Sequence, residues 1–265
     1  MSLRQRLRGE QGYTLIELVL ATTAGLVVSA AALAVLISSL SFATGDSERV
    51  NADQQGSVAM EQIVKTLTSG CVEGWGNSPI VGATGPSAAT GSTGAQPSSG
   101  NTLTFFSSSS DSPNINPSEM SIYLSSNNGP LVMASYPYVT STGASGTTGY
   151  YAATPSIYTL LQHAAPPGTT STQVSTTPLF TYYGYNANSG KLTDEFSPSP
   201  ETSPLGASYA ARTAEVGINF QAQPDNGQTT TGYATDLENS VVLRMTAIAN
   251  GTTGATGSTT PLPCS

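Results

Sequence analysis

Few side chains in this sequence could do chemistry, and most lack the neighbours that chemistry needs. There is one histidine, His163, in the segment LLQHAAPP. A zinc site takes three or four His, Cys or carboxylate ligands, and the only cysteines, Cys71 and Cys264, lie far from it in sequence. A histidine at the surface or a strand end is expected. Asp225-Asn226-Gly227, with Asp236 and Glu238 nearby, offers oxygens that suit calcium, but not at EF-hand spacing; an ordinary Asx turn is the alternative. Tyr182, Tyr183 and Tyr185 could form a sugar- or surface-binding patch, or fill a core and its rim. Neither a GxSxG elbow nor a GxxxxGKS/T loop occurs, so those hydrolase and nucleotide signatures are missing. The expectation is a protein that is not an enzyme and takes no cofactor or metal. One polar group stands out by position. Glu17 opens an apolar run that carries no other charge from Leu18 to Ala43.

That run must position Glu17. It has 26 residues, about 39 Å as a helix, and a bilayer core is about 30 Å thick. A basic leader with Arg4, Arg6 and Arg8 precedes it. A plain membrane anchor is one reading. A secretory signal peptide with a small-residue cut near Ser29–Ala32 is a second. Neither accounts for the acid. A carboxylate inside a membrane helix costs roughly 2.5–3.5 kcal/mol, so such a group usually has a partner and a function.

The segment Gly12-Tyr13-Thr14-Leu15-Ile16-Glu17-Leu18 resembles the processing motif of type IV prepilins and pseudopilins. Basic leader, glycine, TLIE and apolar run all occur in register. In that family a membrane-embedded prepilin peptidase cuts after the glycine and N-methylates the new first residue. The resemblance therefore implies a cut after Gly12, a methylated N-terminus at Tyr13 and an assembly role for Glu17. Tyr13 departs mildly from the more usual phenylalanine. The family's glutamate meets the positive N-terminus of a neighbouring subunit.

The leader arginines set orientation, because positive flanks stay cytoplasmic. Net charge is −8, and loss of the leader, which carries a net +2, leaves about −10. Such a surface repels phosphate backbones, and direct nucleic-acid binding is disfavoured. Cys71 and Cys264 are an even pair, expected to bond outside the membrane, where disulfides persist.

Beyond Ala43 the absence of proline and the recurrence of Val50, Val58, Ile63, Val64 and Leu67 predict an amphipathic continuation. Gly45 and Gly56 are expected to allow a bend or fraying, with the end near Ser69–Gly70 and Gly70 in a C-cap role. The segments thus expected are a leader (1–12), a helix (13–70, its 13–43 part for membrane and assembly, 44–70 amphipathic) and a β-rich head (71–265). Gly74–Gly100, Thr140–Gly149 and Gly251–Thr260 read as long Gly/Ser/Thr loops, the first mobile and exposed. Strands are expected at Leu103–Phe106, Ser121–Leu124, Leu131–Ser135, Ile157–Leu161, Leu179–Tyr185, Ala214–Phe220 and Asn239–Ala249. Asn127-Asn128-Gly129 signals a hairpin. The fold class expected is α+β: a long N-terminal helix packed on an antiparallel sheet.

The order of elements is similar to larger minor pilins of the PilW type and J-type pseudopilins. The residues involved are Ser69-Gly70-Cys71, Phe180–Tyr185 and Ser240–Arg244. This resemblance is strong over residues 1–43 and weak in the head. It implies a structural subunit of a bacterial type IV pilus or type II secretion-like filament. Its partners would be the prepilin peptidase, other pilins or pseudopilins through the helix, and an inner-membrane assembly platform. It would be a single-pass membrane protein before assembly and extracellular afterwards. The alternative is a solitary membrane-anchored adhesin or ligand-binding protein. Asn250-Gly251-Thr252 matches a glycosylation sequon, which carries little weight in a bacterial chain.

Overall fold

One α-helix, α1, runs from Leu15 to Thr68, 54 residues. It is rich in Ala and Leu and has no proline, and it runs unbroken through Gly45 and Gly56, without fraying at either. The computed structural model describes residues 14–71, 79–83, 95–107, 118–126, 128–143, 146–152, 154–170, 173–185, 192–195, 204–224 and 234–243. The chain divides into two compact units, one ending at Ser47 and the other Glu48–Ser265. The part of α1 from Glu48 to Thr68 thus belongs to the head.

The described strands are β1 (Thr102–Ser107), β2 (Ser118–Leu124), β3 (Leu131–Tyr136), β4 (Tyr138–Gly143), β5 (Gly146–Tyr151) and β6 (Ser156–Leu161). After them come β7 (Ala164–Ala165), β8 (Phe180–Tyr185), β9 (Leu192–Glu195), a four-residue helix α2 (Ala207–Ala210), β10 (Thr213–Ala222) and β11 (Thr235–Val242). They form a four-stranded sheet ordered β1-β2-β3-β6 and a second sheet ordered β11-β10-β8-β9, with β7 also on β10. Every pairing is antiparallel. The α+β class expected from the sequence is what the chain adopts, with the strands divided between two larger sheets and a hairpin.

Alternation makes the core. Leu103, Phe105, Met120, Ile122, Leu131 and Met133 share one face of the first sheet, by register. Phe180, Tyr182, Val216, Ile218, Phe220 and Val241 share one face of the second. These side chains join Ala52, Ala59, Met60, Ile63 and Leu67 of α1 in one buried cluster. Burying a large apolar side chain completely contributes about 1.5–3 kcal/mol. The opposite face of the first sheet builds a smaller cluster from Phe106, Ala134, Tyr136 and Tyr151, where the Phe106 and Tyr151 rings stack at 5.5 Å.

Several expectations need correction. The buried stripe of α1 does not run through Val50 and Val58, which are 55% and 63% exposed. Ala52, Gly56 and Ala59 carry its first part, where Gly56 comes close to Leu237 and Ala222, and Met60 with the expected Ile63 and Leu67 carries the rest. Thr140–Gly149 is not a loop: β4 and β5 pair across it as a hairpin, and its β-branched threonines favour strand. Parts of Gly74–Gly100 are buried rather than mobile and exposed. Val81 donates to the Thr104 carbonyl at 2.9 Å and Phe106 to that of Pro79 at 3.0 Å, which adds this segment to the β1 edge. Buried Ser98 is satisfied by Thr104, accepting from its N–H and donating to its carbonyl, both at 2.9 Å. A polar tract can be buried when its hydroxyls are paired. The last strand starts at Thr235, four residues before the expected Asn239. Its ladder with β10 runs from Ala222↔Thr235 to Glu215↔Val242, and polar Asn239, which shares a face with Leu237 and Val241 by register, interrupts the apolar side of its alternation. Residues 244–249 of that expected strand, like the third expected loop, Gly251–Thr260, lie outside the described residues.

Candidate functional site

Glu17 sits exposed in the first turn of α1, where a helix N-terminus favours negative charge. The helix starts cleanly: Glu17 and Leu18 both donate to the Thr14 carbonyl, at 3.0 and 3.1 Å. Apolar side chains from Leu15 to Phe42 are exposed around it. Four hydroxyls along this part of the helix bond to its own backbone. Thr22 and Thr23 donate to the Val19 carbonyl at 3.0 Å, Ser29 to Gly25 at 2.8 Å and Thr44 to Ser41 at 2.9 Å. Each hydroxyl is thereby satisfied without water, which is what a hydrocarbon surround demands. The helix is long and apolar enough to cross a membrane.

Within the head unit, the buried face of α1 reads Ala52, Gly56, Ala59, Met60, Ile63, Leu67. These positions recur every three or four residues, one helix face. After Thr68 the chain passes directly into the first sheet: Gly70 bridges Ser107, and Cys71 donates to the Phe106 carbonyl at 3.0 Å. A Cβ at Gly70 would lie 2.8 Å from the Leu67 carbonyl oxygen, so glycine is there for close approach. The helix ends where the sequence indicated, with the Gly70 N–H donating to the Leu67 carbonyl at 3.0 Å and without a positive φ at Gly70. Cys71 is disulfide-bonded and packs against the smaller cluster.

The remaining sequence candidates are not brought together. His163 is half-buried between β6 and β7, and its carbonyl accepts from the Gln223 N–H at 3.0 Å. Asp236 and Glu238 lie on β11, where the Asp236 carboxylate accepts from Gln221 at 3.2 Å. Among the described residues no three His, Cys or acidic side chains group to hold a metal. Tyr182 is core: its hydroxyl donates to the Ser99 carbonyl at 2.7 Å, with that of Thr102 at 3.0 Å. Burial pushes its phenol far above the usual range. Tyr183 points to the other face of the second sheet, half-buried. Gly12, Tyr13, Asp225, Asn226, Gly227, Asn250 and Cys264, and the side chain of Tyr185, lie outside the described residues. Sequence reasoning did not single out Ala52 and Ala59 as a packing face; their spacing with Gly56 was the available signal. No family model, curated protein or solved structure matches this chain.

Proposed function

We propose that this chain is a structural subunit, a minor pilin or pseudopilin, of a type IV pilus or type II secretion-like filament. The carrying observation is the register of Gly12-Tyr13-Thr14-Leu15-Ile16-Glu17 with the basic leader and the apolar run. Prepilin peptidase cuts after Gly12 and methylates Tyr13. The exposed apolar helix is held in the membrane, then transferred into a bundle of like helices. The hydroxyl pairing along α1 supports both environments, because neither lipid nor a helix bundle supplies water. Glu17 pairs with the amino group that cleavage creates on a neighbouring subunit; a buried ion is tolerable when paired. The Cys71 bond is to Cys264, the only other cysteine, and ties the C-terminal tail to the junction of helix and sheet. The filament emerges outside the cytoplasmic membrane.

Glu17→Gln tests the assembly role. The variant should be cleaved normally and enter filaments poorly, read as the ratio of filament-bound to membrane-bound chain. Normal incorporation contradicts the role.

A further inference from the structure

Among the described residues, β6 pairs with β3 on one side and ends the first sheet on the other. A sheet edge offers unpaired N–H and C=O groups, which proteins usually guard with charge, proline or a cover. The other edges of the two larger sheets are guarded. Gly70, Cys71 and Pro79–Val81 cover β1. Asp236 and Glu238 stand on β11, and β9 contains Asp194 and Glu195. β6 reads SIYTLL, with neither charge nor proline. Its Ile157 is 60% exposed and its Tyr158 54%.

We propose that β6 pairs antiparallel with β6 of a second copy of this chain, joining the two first sheets edge to edge. A two-fold axis perpendicular to the sheet keeps each face on its own side, so opposed residues must belong to the same face. Centred on Tyr158, the pairing sets Tyr158 against Tyr158, Ile157 against Thr159 and Ser156 against Leu160. No charged side chain enters. In a chain of net charge −8, self-pairing through β11 would bring the exposed carboxylates of Asp236 and Glu238 together, and like charges across a ladder are destabilising. β6 is the edge where a second copy meets no repulsion.

The cleft beside Tyr158 favours the same occupant. It measures about 800 Å³ and is lined by Val58, Glu61, Lys65, Met133 and Tyr158, among others. This leaves room for the partner's Tyr158 ring on the helix side of the joined sheet. Glu61 and Lys65 bring opposite charges, so the cleft adds no net repulsion. One strand pair buries far less than the roughly 1,200–2,000 Å² of stable interfaces. The contact therefore closes between copies confined together, where effective concentration reaches the millimolar range. This step rests on α1 being a membrane anchor.

The test uses the full chain in its membrane. Tyr158→Cys is treated with mild oxidant or a short bis-maleimide; Ser240→Cys on β11 is the control. Both sites are exposed, and an unchanged thermal transition verifies folding. A covalent homodimer is expected from Tyr158→Cys and not from Ser240→Cys. Adding Thr159→Lys should lower its yield at least about fivefold. The proposal is overturned if the membrane-embedded chain gives no homodimer, if the control links equally, if the lysine has no effect, or if the adduct is a different protein. A chain recovered in the soluble fraction overturns the anchor, and with it the proposal; a membrane-bound chain that does not cross-link overturns the pairing alone.

Discussion

Gly56 of α1 and Leu237 of β11 meet so closely that no side chain fits between them. A Cβ on Gly56 would overlap the Leu237 side chain and stand 2.9 Å from the Cβ of Ala222. The glycine weakens the helix by about 1 kcal/mol relative to alanine, yet it lets the helix approach the sheet. Gly56→Val should therefore destabilise the head by about 1–3 kcal/mol through overpacking. At roughly 2–4 °C per kcal/mol for a unit of this size, calorimetry should show a clear drop in Tm. Gly25→Ala is the contrast, since nothing lies within 4 Å of a Cβ there; it should leave the head transition unmoved.

Tyr182 gives a pH-dependent signature. Its hydroxyl is buried on the Ser99 carbonyl, and burial raises its pKa from 10.0. The unfolded chain releases this proton near pH 10 while the folded head retains it. Its contribution is complete below pH 10 and falls as pH rises above it. Tyr182→Phe should cost about 1–3 kcal/mol at neutral pH, because it removes the hydroxyl that pairs the Ser99 carbonyl, whereas that of Thr102 keeps the Ser99 N–H. It should also flatten the loss of stability above pH 10, measured by denaturant titration across that range. Tyr136, also raised by burial and by its neighbours Tyr123 and Glu119, leaves a residual slope.

The Cys71 bond should matter for the head and not for processing. A loop of about 190 residues closed to Cys264 gives a chain-entropy estimate of roughly 5 kcal/mol, an upper figure. Reduction should lower the melting temperature and expose the tail to protease. Cleavage after Gly12 should proceed unchanged. Non-reducing peptide mapping checks the pairing: two separately alkylatable thiols in native protein would rule it out.

Much of this fold was legible where pattern follows physics directly. The uncharged run after Glu17 specified a long helix, and Asn127-Asn128-Gly129 marked a hairpin that β2 and β3 form, with Asn128 at φ 60°. The alternation of AEVGINF placed Val216, Ile218 and Phe220 inward. What escaped the sequence depends on tertiary partners. Val50 and Val58 are apolar at helical spacing but exposed; Ala52, Gly56 and Ala59 take the buried face there, while Ile63 and Leu67 are buried as their spacing indicated. Ser98 looks like loop composition until Thr104 satisfies it. β5 is rich in glycine and threonine, and only its pairing with β4 declares it a strand. Of the candidate site, Glu17 and the helix beneath it were readable. The openness of the β6 edge was not, because it depends on which strands end up beside it.

The central claim is processing after Gly12, and intact-mass measurement of the chain recovered from assembled material tests it most directly. The account predicts a mass equal to Tyr13–Ser265 with one added methyl group and, if the cysteines are paired, two hydrogens fewer. It also predicts that replacing Gly12 with a bulky residue leaves the full precursor in the membrane. A mass that retains residues 1–12 in assembled material would contradict it.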